Sequence, residues 1–69
     1  PWFNHSQMIA NIMSARMKEL GMTQKMLAEK MNCTQQYISK ILKGRENLSL
    51  EAINKIENAL DIHFLQMNE

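Results

Sequence analysis

One pattern recurs three times in this chain and fixes most of what it can fold into. An apolar residue precedes a hydroxyl residue, and a second apolar residue follows four positions on. The copies are Met22-Thr23 with Leu27, Cys33-Thr34 with Ile38, and Leu48-Ser49 with Ile53. A Thr or Ser so placed is a helix N-cap. Its side-chain oxygen accepts a bond from an orphan backbone N–H, and the apolar pair closes over it. The spacing predicts helices over 24–31, 35–43 and 50–60. Upstream, Ile9, Ile12, Met13, Met17 and Leu20 fall at helical spacing on one stripe. Gly21 suits the left-handed residue that ends such a helix. Asn4 or Ser6 is the candidate cap at its start, which leaves 1–5 as an N-terminal extension. The expected class is therefore all-α, with four to five helices.

At 69 residues, with two Gly and one Pro, the chain is one small domain over 1–69 and not a turn-dense β fold. A domain this short buries only about 60% of its unfolded surface. Its single cysteine makes no internal disulfide and is too few for a zinc site. Stability has to come from apolar packing, helped by a second copy where one binds. No apolar run approaches the length of a membrane span. The opening Pro1-Trp2-Phe3-Asn4-His5 lacks the basic region and long apolar stretch of a signal peptide. It also lacks an initiator Met, as in a fragment or a processed chain. With one thiol and no export signal, the expected compartment is the cytoplasm.

The net charge of +1 hides an asymmetry. Arg16 to Arg45 holds seven basic residues and two acidic ones, whereas Glu46 to Glu69 holds one basic and five acidic. A basic middle beside an acidic end suits one face meeting a polyanion. A solvated mixed-charge surface would look similar.

The segment 24–43 carries the sharpest signal. Only Asn32-Cys33-Thr34 separates Met31 from Gln35. Two helices joined at a steep angle by about three residues form a helix-turn-helix. That geometry needs a small residue at the crossing, and Ala28 stands there. It needs a residue tolerant of positive φ, and Asn32 is among the best after Gly. It also needs apolar inner faces, which Leu27, Met31 and Cys33 offer to Ile38 and Ile41. On the other side of the third helix lie Gln35, Gln36, Ser39, Lys40 and Lys43, with Tyr37 on the flank and no carboxylate. Gln bonds adenine bidentately in the major groove, and Lys reaches guanine or phosphate.

The run Leu20-Gly21-Met22-Thr23-Gln24, then Leu27-Ala28, then Thr34-Gln35-Gln36 and Gly44 resembles the lambdoid phage Cro/repressor helix-turn-helix family. That XRE-like family includes transcriptional regulators and the antitoxins of some toxin–antitoxin pairs. The similarity covers roughly 9–62 and implies a lambda-repressor-like domain binding double-stranded DNA, repressor-like, as a homodimer. It implies that Gln24, next to the cap Thr23, bonds a phosphate and braces the start of the third helix. It implies that Thr34, Gln35, Gln36, Ser39 and Lys40 approach bases or adjacent phosphates. Tyr37 would touch a phosphate, and Lys43 and Arg45 would hold the backbone. The alternative is an antitoxin that also binds a toxin protein. Two departures stand out. Asn32 replaces the family's frequent turn Gly. Met17 and Leu42 stand where many members place an Arg–Glu pair, and an apolar contact there is usually harmless.

The tail, 61–69, reads as a short strand slightly ahead of a helical turn or a frayed end. A strand would pair with its copy in a second subunit, making Leu60, Ile62, Phe64, Leu65 and Met67 the expected dimer interface. Other residues take plainer readings. Cys33 is expected to be a buried small hydrophobe. His5 and His63 lack any metal-like spacing. Trp2 and Phe3 stand open between packing on the fourth helix, an interface between copies and an expression remnant. No catalytic constellation or phosphate loop is present, so neither an enzyme nor a cofactor is expected.

Overall fold

The structure is a computed structural model that describes the backbone of residues 2–64 and side chains from Asn4 onward. Four helices follow in order: α1 (Trp2–Leu20), α2 (Gln24–Met31), α3 (Gln35–Leu42) and α4 (Leu50–Leu60). All three expected caps form. Thr23, Thr34 and Ser49 have extended backbone, and their hydroxyl oxygens accept from the N–H groups of Met26, Tyr37 and Ala52, each at 3.1 Å. Each cap contributes about 1 kcal/mol.

Three helices also end alike. Gly21, Asn32 and Asp61 adopt left-handed φ angles of 65°, 57° and 56°. The next residue's N–H then reaches back five positions: Met22 to Met17 at 2.9 Å, Cys33 to Ala28 at 2.9 Å and Ile62 to Glu57 at 3.1 Å. This Schellman closure satisfies carbonyls that a helix end otherwise leaves open. Asn32 thus fills the place expected of it.

α1 packs on α3 and α4, and α2 packs on the same pair. Met13, Leu27, Ile38, Ile41, Ile56 and Leu60 form the fully buried centre. Ala28 at the α2–α3 crossing is buried, Met17 is buried, and Leu42 packs partly against the same core.

Four expectations need correction. The expected 1–5 extension does not form, because α1 begins at Trp2. Neither Asn4 nor Ser6 is its cap, and both lie inside the helix. The inner face of α1 is Ser6, Ile9, Ala10, Met13 and Met17, whereas Ile12 and Leu20 are exposed. The predicted stripe is wider than the arc that α3 and α4 cover. Residues 61–64 form a turn and a bend, so no strand occurs among the described residues, and 65–69 lie outside them. Finally, Leu60 and Phe64 are core side chains, 0% and 9% exposed, and offer no surface to a partner. The left-handed Asp61 turns the chain, and the Phe64 N–H donates to the Glu57 carboxylate at 2.6 Å, folding Phe64 back inward. Ile62 stays half-buried, and Leu65 and Met67 lie outside the described residues.

Candidate nucleic-acid interface

The α2–α3 unit sets the geometry of the site. The three-residue turn and the small Ala28 let the start of α2 stand beside the start of α3. Gln24, Gln35, Gln36 and Ser39 consequently line one open hollow of about 330 Å³. Gln24 thus stands beside the start of α3. Gln35, Gln36 and Lys40 are exposed, and Gln24 and Ser39 are half-buried.

Thr23 and Thr34 spend their hydroxyl oxygens as acceptors in the caps. Their O–H groups remain available as donors to an anion. Lys43 closes α3 in right-handed conformation, and Gly44 follows at φ 74°. Lys43 and Arg45 are exposed, and among the described residues no carboxylate pairs with Lys40, Lys43 or Arg45. Thus α3 presents amide, hydroxyl and ammonium groups along one side. Eight residues give it a length of about 12 Å, close to the width of the major groove.

Tyr37 sits apart from this row. It is half-buried and lines a cavity of about 210 Å³ with Met31, Cys33, Ser49, Glu51, Ala52 and Lys55. Burial pushes its hydroxyl above the usual tyrosine value, and the charges of Glu46 and Cys33 add to that. Cys33 is half-buried rather than fully buried. Burial pushes its thiol up, and Lys55 offsets only part of the effect. A thiol so raised disfavours the thiolate, which is the nucleophilic form.

Sequence reasoning missed two links that frame the site. Ser6 on α1 donates its hydroxyl to the Glu46 carbonyl at 2.5 Å. Arg16 donates Nε to the Leu60 carbonyl at 2.9 Å and pairs with Glu19 at 3.1 Å. The Ser6 and Arg16 bonds reach main-chain carbonyls 40 and 44 positions away, a target that has no side-chain signature.

Among the described residues, no helix is long and apolar enough to cross a membrane, and no group of three or more His, Cys, Asp or Glu gathers as a metal site. Neither the curated proteins nor the solved structures yielded a match to this chain. The family model described as helix-turn-helix matches residues 12–66, a span that begins within α1 after Ser6 and Gln7 and takes in α2, the turn, α3 and α4. With the capped α2–α3 unit, the left-handed turn and the carboxylate-free face of α3 all inside that span, the chain belongs to the Cro/repressor-like, XRE-type helix-turn-helix family of DNA-binding regulators.

Proposed function

We propose that this domain reads duplex DNA sequence-specifically, repressor-like, with α3 in the major groove and as a symmetric dimer. The observation that carries the reading is the common hollow of Gln24, Gln35, Gln36 and Ser39 beside Lys40 and Lys43, which no carboxylate among the described residues pairs. Gln35 and Gln36 are the base readers, each worth about 1–3 kcal/mol of discrimination where it bonds adenine bidentately. Thr23, Gln24, Thr34, Tyr37, Lys43 and Arg45 hold phosphates and set register.

A helix of about 12 Å meets only about four base pairs at a rise of 3.4 Å. Two copies double that information. Two copies reading one face of the duplex need their α3 helices about one DNA turn, ~34 Å, apart. Selection of bound duplexes from a random pool at two salt concentrations tests this. A palindromic consensus that persists at the higher salt supports it. Weak, sequence-blind binding that vanishes with salt would overturn it.

The second reading is an antitoxin that also engages a toxin protein. One observation favours it: Met8 and Ile12 on α1 are 47% and 39% exposed, and Ile12 lines an open hollow with Ala15 and Ile62, rimmed by Arg16, Glu19 and Asp61. Co-purification of a toxin with the chain from its native cells would support this reading. Recovery of the chain alone would count against it.

A further inference from the structure

The loop between α3 and α4 has an alternating character that its sequence alone does not explain. From Arg45 to Ser49 it has no regular structure. Arg45, Asn47 and Ser49 face solvent, while Glu46 and Leu48 are half-buried. An extended segment alternates its side chains in this way, and a slip of one residue reverses every direction. Here reversal would turn a guanidinium inward and a carboxylate outward, changing the sign of charge the loop presents.

Two contacts with α1 fix the phase. Ser6, at 4% exposure the one buried polar side chain among the described residues, donates to the Glu46 carbonyl at 2.5 Å. One residue along α1, Gln7 lies against Gly44 so closely that a Cβ on Gly44 would sit 3.2 Å from the Gln7 Cα. The loop therefore rests on the first turns of α1, with Glu46 pinned from below.

We propose that Ser6 is a positioning residue for DNA binding: its bond to the Glu46 carbonyl sets the register in which Arg45 and Asn47 face the phosphate backbone while Glu46 is held inward. The proposal rests on the DNA-reading function above. It assigns Asn47 a phosphate contact and α1 a part in binding, although α1 stands outside the helix-turn-helix.

The test uses the full chain and a 24-base-pair duplex of mixed sequence, with affinity measured across a salt series. Ser6→Ala removes the donor but keeps a strong helix former, so α1 is retained. The slope of log affinity against log salt should fall by about 0.9, one phosphate's share. Arg45→Ala should lower the slope in the native background and have little effect in Ser6→Ala. Ser6→Thr should keep the native slope. Glu46→Gln should restore part of the affinity lost in Ser6→Ala, because the slipped loop presents that carboxylate. A native slope in Ser6→Ala, or a full Arg45→Ala loss in both backgrounds, overturns the proposal. If circular dichroism shows Ser6→Ala unfolded, Ser6→Cys, close in shape but a weak donor, carries the same comparison. If the native chain shows no salt-dependent binding, or Lys43→Ala leaves binding intact, the DNA reading fails instead of the register.

Discussion

Gly44→Ala should damage this domain well beyond the ordinary cost of a left-handed alanine, and Gly21→Ala supplies the reference. Both glycines have positive φ, 65° at Gly21 and 74° at Gly44. For a residue with a Cβ, that conformation costs roughly 1–2 kcal/mol. At Gly21 an added Cβ meets nothing within 4 Å, so strain is the whole effect. At Gly44 the Cβ falls 3.2 Å from both Cα and Cγ of Gln7 and 3.3 Å from Nε2. The two side-chain atoms can swing away, but the Cα belongs to a helix and cannot. Relief requires the loop to lift off α1, which stretches the Ser6–Glu46 bond. Overpacking of this kind adds about 1–3 kcal/mol. Gly21→Ala should therefore lose about 1–2 kcal/mol and Gly44→Ala about 2–5. Each kcal/mol is worth about 4–8 °C in a domain of this size, so the gap should be plain in thermal unfolding followed by circular dichroism. Gln7→Ala in the Gly44→Ala background should recover only part of the loss, because the crowding against the α1 backbone persists. Equal losses at the two glycines would refute the close-approach argument, and full rescue by Gln7→Ala would show that the obstacle is the side chain.

Other consequences can be checked on the same protein. Arg16→Gln removes the bond to the Leu60 carbonyl at the end of α4 and should lose about 1 kcal/mol in urea unfolding. Glu19→Gln touches only the exposed end of that pair, where the carboxylate side is 66% exposed, and should change stability by less than about 0.5 kcal/mol. Burial raises the Cys33 thiol and the Tyr37 hydroxyl in the folded state, so the unfolded chain gives up those protons first as pH climbs. Stability should thus hold below the ordinary thiol value and fall as pH rises through the raised one, and Cys33→Ala should flatten the first part of that fall. Asn32→Gly should be neutral or stabilising at φ 57°, while Asn32→Ala should lose about 1 kcal/mol; the reverse order in melting temperature would discount the left-handed turn. In selected-duplex assays, Gln36→Ala should relax preference at one or two positions, whereas Lys43→Ala should weaken all sequences alike.

Most of the local architecture was legible because it is written in neighbouring residues. Thr23, Thr34 and Ser49 cap through bonds to N–H groups three positions on, so their meaning is complete within four residues. Gly21 and Asn32 announce their turns for the same reason. The row on α3 followed from 3.6-residue periodicity alone. What stayed hidden depends on which elements lie across from which. Ile12 and Met13 are both apolar neighbours on α1, and only the placement of α3 and α4 decides that Met13 is buried and Ile12 is not. Leu60 and Phe64 suited either a core or an interface, and the choice rests on the left-handed turn at Asp61. Aspartate tolerates that conformation but does not demand it, so the return of Phe64 to the core had no clear mark in the sequence. For Tyr37, one helical flank is compatible with both solvent and cavity, and α4 decides between them.

α1 matters even to a site built on α2 and α3. A helix-turn-helix of two eight-residue helices is too short to be stable alone, since isolated helices under about 12–15 residues are marginal in water. It needs a platform, and α1 and α4 supply one through Met13, Ile56 and Leu60. Apolar packing is non-directional, however, and fixes the platform without fixing how the connecting loop lies on it. Direction comes from the few polar links that reach across the chain. Arg16 ties α1 to the end of α4, and Ser6 ties it to the loop after α3. Both bonds end on carbonyls, so they constrain backbone position rather than side-chain identity. A loop with one guanidinium and one carboxylate, Arg45 and Glu46, would gain from such a constraint beside a polyanion, because a misplaced carboxylate is repelled as strongly as a well-placed guanidinium is attracted. On this argument, substitutions at Ser6 and Arg16 should separate. Arg16, on the α4 side, should affect stability with no change in salt slope. Ser6, under the loop, should change the slope in addition to losing about 1 kcal/mol of stability. A matched pair of losses in both quantities at both positions would mean that α1 acts only as a platform.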